Sequence, residues 1–265
     1  MIVDSHCHLD FPEFAEDLPG VLARAEAAGV GRVVTISTRV RKYDTYRALA
    51  ESDPRIFFSI GTHPHNAGEE PDVPVADLVR LSAHPRCVAI GEAGLDYYYD
   101  KSPRDVQGNV FRTHITAARE TGLPLVIHAR DADEEMMDIL TDEFSKGPYK
   151  AVLHCFSSGE KLALTGIELG FAISFSGIVT FKRSEELRGI ARKIPRERLL
   201  VETDAPYLAP QPVRGKTNEP AYTAHTLRIL AETLDMPPAE LEAMTTENFY
   251  KLFAKAAQAD GRAGA

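Results

Sequence analysis

Residues 87–130 read CVAIGEAGLDYYYDKSPRDVQGNVFRTHITAARETGLPLVIHAR. The stretch opens on one apolar run, CVAIGEAGLD (87–96), and closes on another, LPLVIHAR (123–130). Between them VFRTHITAARETG (110–122) carries apolar residues at three- and four-residue spacing and stops at Gly122, as an amphipathic helix does. Strand, helix, strand in that order implies two parallel strands joined by a right-handed crossover. Both runs are apolar nearly throughout, which suits strands covered on both faces.

The same unit recurs on either side. IVDSH (2–6), GRVVTIS (31–37), RIFFSIGTH (55–63), KAVLHCFS (150–157), FAISFSG (171–177) and LLVETDAP (199–206) bring the strand count to eight. LPGVLARAEAAG (18–29) and EELRGIARKI (185–194) are among the helices between them. Eight even repeats predict an α/β fold, a single-domain TIM (β/α)8 barrel over residues 1–256. An open doubly wound sheet is the alternative. The last residues, 257–265, read as a disordered tail.

Composition narrows the function. The formal net charge is −9. A protein that coats nucleic acid through broad phosphate contacts is usually basic. A nucleic-acid substrate would therefore be gripped locally, at a strand end. No apolar run approaches the roughly 20 residues of a membrane span, and the start lacks a basic-then-apolar leader. A cytoplasmic monomer is expected, with neither membrane nor protein partner. The three cysteines, Cys7, Cys87 and Cys155, read as reduced thiols. Cys7 and Cys155 are expected on the opposite strand face from their neighbouring histidines, where a thiol is a small apolar group.

In a TIM barrel the active site lies at the carboxyl ends of the strands. His6, His8, His63, His65, Glu92, His128, His154, Glu202 and Asp204 all fall there. Three pairs, His6/His8, His63/His65 and Glu202/Asp204, have the i, i+2 spacing that puts both side chains on one strand face. One strand-end histidine can be an ordinary core residue; this many, with carboxylates, point to a metal site. The donors are imidazoles and carboxylates, which suit Zn²⁺, Mn²⁺ or Mg²⁺. They are too many for one catalytic zinc but would serve two ions about 3.5–4 Å apart, with Glu92 the natural bridge. The chemistry expected is metal-assisted hydrolysis. His84 and His114 read as structural or exposed. Arg130, Lys182, Arg183, Arg214 and Lys216 are candidate phosphate contacts. Tyr97 to Tyr99 could stack on bases, though packing is the simpler reading. Glu202 is expected to orient a ligand.

DSHCHLD (4–10), GTHPH (61–65), GEAGLDYYYD (91–100), LPLVIHARDA (123–132), HCFS (154–157), FSGIVTFK (175–182), VETDAPYLAP (201–210) and RGKTNEP (214–220) together resemble the TatD family of metal-dependent deoxyribonucleases, amidohydrolase-like TIM barrels. The resemblance implies that His6, His8 and Asp204 hold one metal, His128 and His154 a second, with Glu92 bridging. It implies that His63 and His65 lie near the substrate phosphate. Asp204, Glu92, His63 and His65 are the expected catalytic residues. The implied activity is 3′→5′ exonuclease action on DNA by a two-metal-activated water. A binuclear carbonyl hydrolase, such as an aminoacyl-tRNA deacylase, is the alternative. The fourth strand has no Lys, which separates this chain from phosphotriesterase-like and dihydroorotase-like barrels bridged by a carboxylated Lys. Two departures stand out: His114 where the family often has Gln, and Ser158 where it usually has Gly.

Overall fold

The computed structural model describes residues 1–262. Its strands are β1 (Ile2–Cys7), β2 (Val30–Thr35), β3 (Ile56–Ile60), β4 (Cys87–Asp96), β5 (Leu125–Arg130), β6 (Ala151–Leu153), β7 (Ala172–Phe175) and β8 (Leu199–Val201). They form one sheet in chain order, and every neighbouring pair is parallel. Past the end of β8, Asp204 N–H donates to His6 O at 2.9 Å and His8 N–H donates to Ala205 O at 2.8 Å. With a parallel bridge between Cys7 and Ala205, these bonds bring the last strand onto the first. The fold is the predicted TIM barrel. The predicted helix after β4 runs from Arg104 to Thr121 and ends at Gly122, whose φ of 70° is the left-handed conformation glycine supplies at a helix stop.

The alternation of side chains along each strand divides the interior into layers. Val3, Val34, Phe57, Val88, Val126, Val152, Ala172 and Leu200 pack inside the ring against Phe249, Tyr250, Phe253, Ala256 and Ala257. The last five come from helices Pro238–Leu252 and Ala254–Ala259 and from Phe253 at the junction between them, which plug the amino-terminal end. Two residues further along, toward the carboxyl end, six of the eight strand positions turn polar, Ser5, Ser59, His128, His154, Ser174 and Glu202, while Ile36 and Ile90 stay apolar. The opposite face of the strands, with Val33, Phe58, Ile127, Leu153 and Ile173, packs in the larger core with the surrounding helices.

The plug corrects the expected tail. Ala257, placed there by the sequence, is buried, and the helix continues to Ala259. Alanines without periodic large apolar residues read as a frayed end; here Ala256 and Ala257 cluster with Phe253 and the inward strand residues. The remainder of the expected tail, 263–265, lies outside the described residues. Among the described residues, no helix is long and apolar enough to cross a membrane.

Candidate metal centre

Glu92 is the hub of the site. It sits inside β4 where the register with β5 slips between Gly91 and Ala93, and such a bulge re-aims a side chain. Its N–H donates to Ser37 O at 3.1 Å. The carboxylate is buried and its two oxygens face different groups. Oε2 lies 3.4 Å from His6 Nε2 and 3.9 Å from His8 Nε2. Oε1 lies 2.7 Å from His154 Nε2, 2.9 Å from His128 Nδ1 and 3.5 Å from His63 Nε2. Asp204 Oδ1 completes the first group, 3.6 Å from His6 and 3.4 Å from His8.

Asp204 reaches this point because the chain leaves β8 at Val201 and turns. Its φ of 58° is left-handed, a conformation aspartate tolerates better than most residues. Asp4 ties that turn to β1: its carboxylate accepts from Thr203 N–H at 2.9 Å and from Thr203 Oγ1 at 2.6 Å. Burial pushes the Asp4 carboxyl up to about 8, opposed by these bonds. Asn218, from RGKTNEP, donates to Thr203 O at 2.9 Å and Tyr207 O at 2.6 Å and holds the same turn from outside.

The electrostatics favour bound positive charge. Burial works against charge on Glu92, but His154, His63 and His6 outweigh it and hold the carboxyl well below its usual range. Asp204 is likewise lowered against burial, by His8 and His6. Burial would also discharge His154, yet Glu92 and Glu202 push its pKa well up. His6, stacked on His154 with ring centroids 3.8 Å apart, is pushed down by burial and by that neighbour. Glu92 Oε2, Glu202 Oε2 and His6 Nδ1 are buried without hydrogen-bond partners. An unpaired buried carboxylate oxygen is costly, and a cation between imidazoles removes that cost. The residues therefore fit a metal centre. Donor atoms of His6, His8 and Glu92 lie within 4.8 Å of one another, as do those of His63, Glu92 and His128, and of His6, His154 and Glu202.

Some expected residues sit differently from the sequence reading. β3 ends at Ile60, so His63 caps and His65 lies within a 3-10 turn, Pro64–Asn66, instead of extending a strand. His63 Nδ1 accepts from His65 N–H at 3.0 Å, which frees its Nε2 toward Glu92. Cys155 is not on a strand face: β6 ends at Leu153, and Cys155 has φ 43° with Sγ 3.1 Å from Ser176 Oγ. Glu202 Oε1 accepts from Cys155 N–H at 2.7 Å and lies 3.3 Å from His154 Nδ1, while its other oxygen points among the donors. His114 is buried in its helix and His84 packs beside Glu51, both away from the cluster.

The candidate cations line the rim. Arg130 lies over the rings of Tyr98 and Tyr99 at 4.1 and 4.8 Å, and Arg214 over Phe181 at 4.0 Å. Lys182, Arg183 and Lys216 are exposed on the loops after β7 and β8. Ser158 borders a cavity of about 360 Å³ with Arg130, Asp131, Asp133, Ser157 and Gly159.

Sequence reasoning missed Asp96. Its Oδ2 lies 2.9 Å from His65 Nε2 and 3.0 Å from His128 Nε2, and its Oδ1 accepts from Tyr99 N–H at 2.9 Å. Burial would raise its pKa; His128 and His65 hold it far below the usual carboxylate range. The signal was present, since Glu92 and Asp96 are four residues apart on one strand.

The TatD related DNase family model matches residues 3–254. The metal-dependent hydrolase YabD of Bacillus subtilis is 39% identical over 253 residues, covering 96% of this chain and 99% of its own. A protein of Escherichia fergusonii named 3′-5′ ssDNA/RNA exonuclease TatD is 34% identical over 255 residues, covering 94% of this chain and 98% of its own. The crystal structure of YJJV, a TatD homologue from Escherichia coli K12, superposes with a TM-score of 0.88 at 30% identity, covering 96% of this chain and 98% of that one. The match runs end to end along the barrel and takes in every residue gathered around Glu92: the chain belongs to the TatD family and is a metal-dependent hydrolase.

Proposed function

We propose that this hydrolase is a nuclease that removes nucleotides from the 3′ end of single-stranded DNA. The observation that carries the reading is the division of Glu92, with Oε2 toward His6 and His8 and Oε1 toward His128 and His154. Such a division suits two divalent ions, Zn²⁺, Mn²⁺ or Mg²⁺, one held by His6, His8 and Asp204 and one by His128 and His154. When bound, a metal pair lowers the pKa of water and neutralises charge on phosphoryl oxygens. The name of the Escherichia fergusonii relative supports DNA as the substrate and 3′→5′ as the direction.

The protein's own groups supply the rest. Asp204, the carboxylate nearest the mouth, accepts the proton of the attacking water. His63 and His65 face the scissile phosphate and its developing charge. Asp96 fixes the His65 and His128 rings through one oxygen, and Glu202 fixes His154. Arg130, Lys182, Arg214 and Lys216 contact neighbouring phosphates, a local grip in a chain of net charge −9.

The test is cleavage of 5′-labelled single-stranded DNA with Mg²⁺, Mn²⁺ or Zn²⁺, beside Asp204→Asn and an EDTA control. Asparagine tolerates the left-handed backbone at this position, so the variant isolates the acid. A metal-dependent ladder shortening from the 3′ end, absent in the variant, is the expected result. Metal-loaded protein that leaves DNA intact and releases amino acid from an aminoacyl ester would replace the nuclease by a carbonyl hydrolase.

A further inference from the structure

Among the described residues five large apolar side chains stand exposed, and three are tyrosines at the carboxyl-terminal mouth of the barrel: Tyr98 at 57%, Tyr99 at 51% and Tyr207 at 53%. Scattered exposed apolar residues need no explanation, but a set confined to one rim does. Tyr97, by contrast, packs against the core. Tyr98 and Tyr99 follow β4, and Tyr207 follows β8, half the barrel away.

Each group leads into the site through histidines. Tyr99 stands edge-on to His65 with centroids 5.3 Å apart, and Tyr98 edge-on to Tyr99 at 4.8 Å. On the other side Tyr207 meets Phe11 at 5.8 Å, and Phe11 stacks on His8 at 5.0 Å. Cations accompany the first group. The Arg130 guanidinium lies over both rings, and Lys101 Nζ lies 5.5 Å from the centre of Tyr99. Tyr99 is further held by its N–H bond to Asp96, the residue that orients His65 and His128.

We infer that Tyr98 and Tyr99, with Arg130 beside them, form a stacking platform for an unpaired nucleobase next to the scissile phosphate, with Tyr207 opposite. The inference rests on the nuclease reading and deepens it, because it names the feature by which the site selects single strands. Aromatic faces flanked by positive charge bind any base through its π-face, while cations meet the backbone. A duplex keeps its bases stacked on one another and cannot offer those faces. The cations alone would grip a phosphate of either form; the exposed rings make the distinction.

The experiment measures fluorescence anisotropy of the Mg²⁺-loaded full chain with three labelled, phosphorothioate-protected probes. They are a single-stranded oligothymidylate, a blunt duplex, and a strand of the same length with abasic sugars. Base stacking predicts that the wild type binds the base-bearing strand more tightly than the abasic strand, by about 5- to 150-fold per stacked base. Tyr98→Ala with Tyr99→Ala should erase most of that difference, and Tyr98→Phe with Tyr99→Phe should keep it, since the ring is what stacks. Both tyrosines are exposed, so thermal melting should match the wild type. Equal affinity of the wild type for base-bearing and abasic strands, or full affinity in the double alanine variant, would overturn the platform. In either case continued cleavage of DNA would leave the nuclease reading standing. Failure of all three probes to bind, with an unprotected single strand also left intact, would remove both.

Discussion

At the amino-terminal end of the barrel, Val126, Val152 and Leu200 pack against Phe249 and Phe253. Two residues further along the same strands, His128, His154 and Glu202 lie 3.3 Å from one another in sequence around the ring. The same strands lead through both layers, yet the chemistry is opposite. The lower layer is dry and apolar, and its contacts are satisfied within the fold. The upper layer gathers buried carboxylates, with Glu92 Oε2 and Glu202 Oε2 left unpartnered. The first contributes stability through burial. The second sacrifices some, because ionised groups taken from water need compensation that the protein alone does not provide. Stability and function should therefore separate along the barrel axis, and substitutions at the two ends should show it.

The largest effect is expected at Glu92. Glu92→Gln keeps the shape but removes the charge shared by both groups of histidines. Metal-dependent hydrolysis should fall by more than about a thousand-fold, the scale of losing several kcal/mol of charge stabilisation. Metal content after dialysis should fall with it, while the metal-free variant should unfold at a denaturant concentration no lower than the metal-free wild type. Bound metal at wild-type stoichiometry would contradict the central role of this carboxylate.

The plug should answer in the opposite sense. Phe249 is buried and stacked on Phe253 with centroids 4.6 Å apart. Phe249→Ala should cost about 3–5 kcal/mol by denaturant unfolding. At temperatures where the variant stays folded, its kcat/KM should match the wild type. A loss of activity larger than the loss of folded protein would mean that the two layers are coupled and that the separation fails.

A third effect concerns acid. His114 is buried and neutral: Nδ1–H donates to Val110 O at 2.8 Å, and Nε2 accepts from Thr62 N–H at 3.0 Å. Burial lowers its pKa to about 4, against the Val110 hydrogen bond and the Glu70 charge, which favour the proton. Below its ordinary pKa of about 6.5 the unfolded chain takes up a proton that the folded chain refuses until about pH 4. Stability is thus present above that range and falls as pH drops through it, by about 3 kcal/mol in total. His114→Gln can make both hydrogen bonds without titrating. Between pH 7 and 4.5 the wild type should lose about 2–3 kcal/mol more than the variant. Titration of the metal-site histidines is common to both and cancels in the comparison. Parallel pH profiles would show that His114 carries its proton in the fold.

The separation of layers was partly legible in the sequence. Apolar runs closing in polar or Gly residues located all eight strands and placed His128, His154 and Glu202 at the ends of three of them, because an apolar inward residue and its polar neighbour two positions on share a face. What escaped depended on irregular backbone. The slip in β4 that aims Glu92 inward leaves no periodic signature. His63 and His65 owe their positions to a 3-10 turn, not to strand alternation. Cys155 looked like a strand residue, but the chain had already left the ladder. Tyr98 and Tyr99, read as packing residues, are exposed because β4 ends at Asp96 and carries them past the core.

Asp96 offers the finest test, because it touches the upper layer without belonging to either group around Glu92. One oxygen serves both His65 and His128. The fully buried carboxylate keeps its charge because both rings donate to it, so it sets which nitrogen of His128 remains free to face Glu92. Asp96→Asn preserves the volume but can leave an amide N–H against a ring N–H, and a ring must then turn or change tautomer. Loss of such an orienting partner typically costs 10- to 100-fold in metal affinity or activity. If Asp96 acts through His128, metal affinity and kcat should fall together by about that factor. If it acts through His65 alone, metal affinity should stay at the wild-type level and KM for the oligonucleotide should carry the change. Isothermal titration with Mn²⁺ beside steady-state kinetics separates the two. An unchanged metal affinity and an unchanged KM would mean that the rings are held by the barrel walls, and that the shared oxygen is a consequence of their positions instead of the cause.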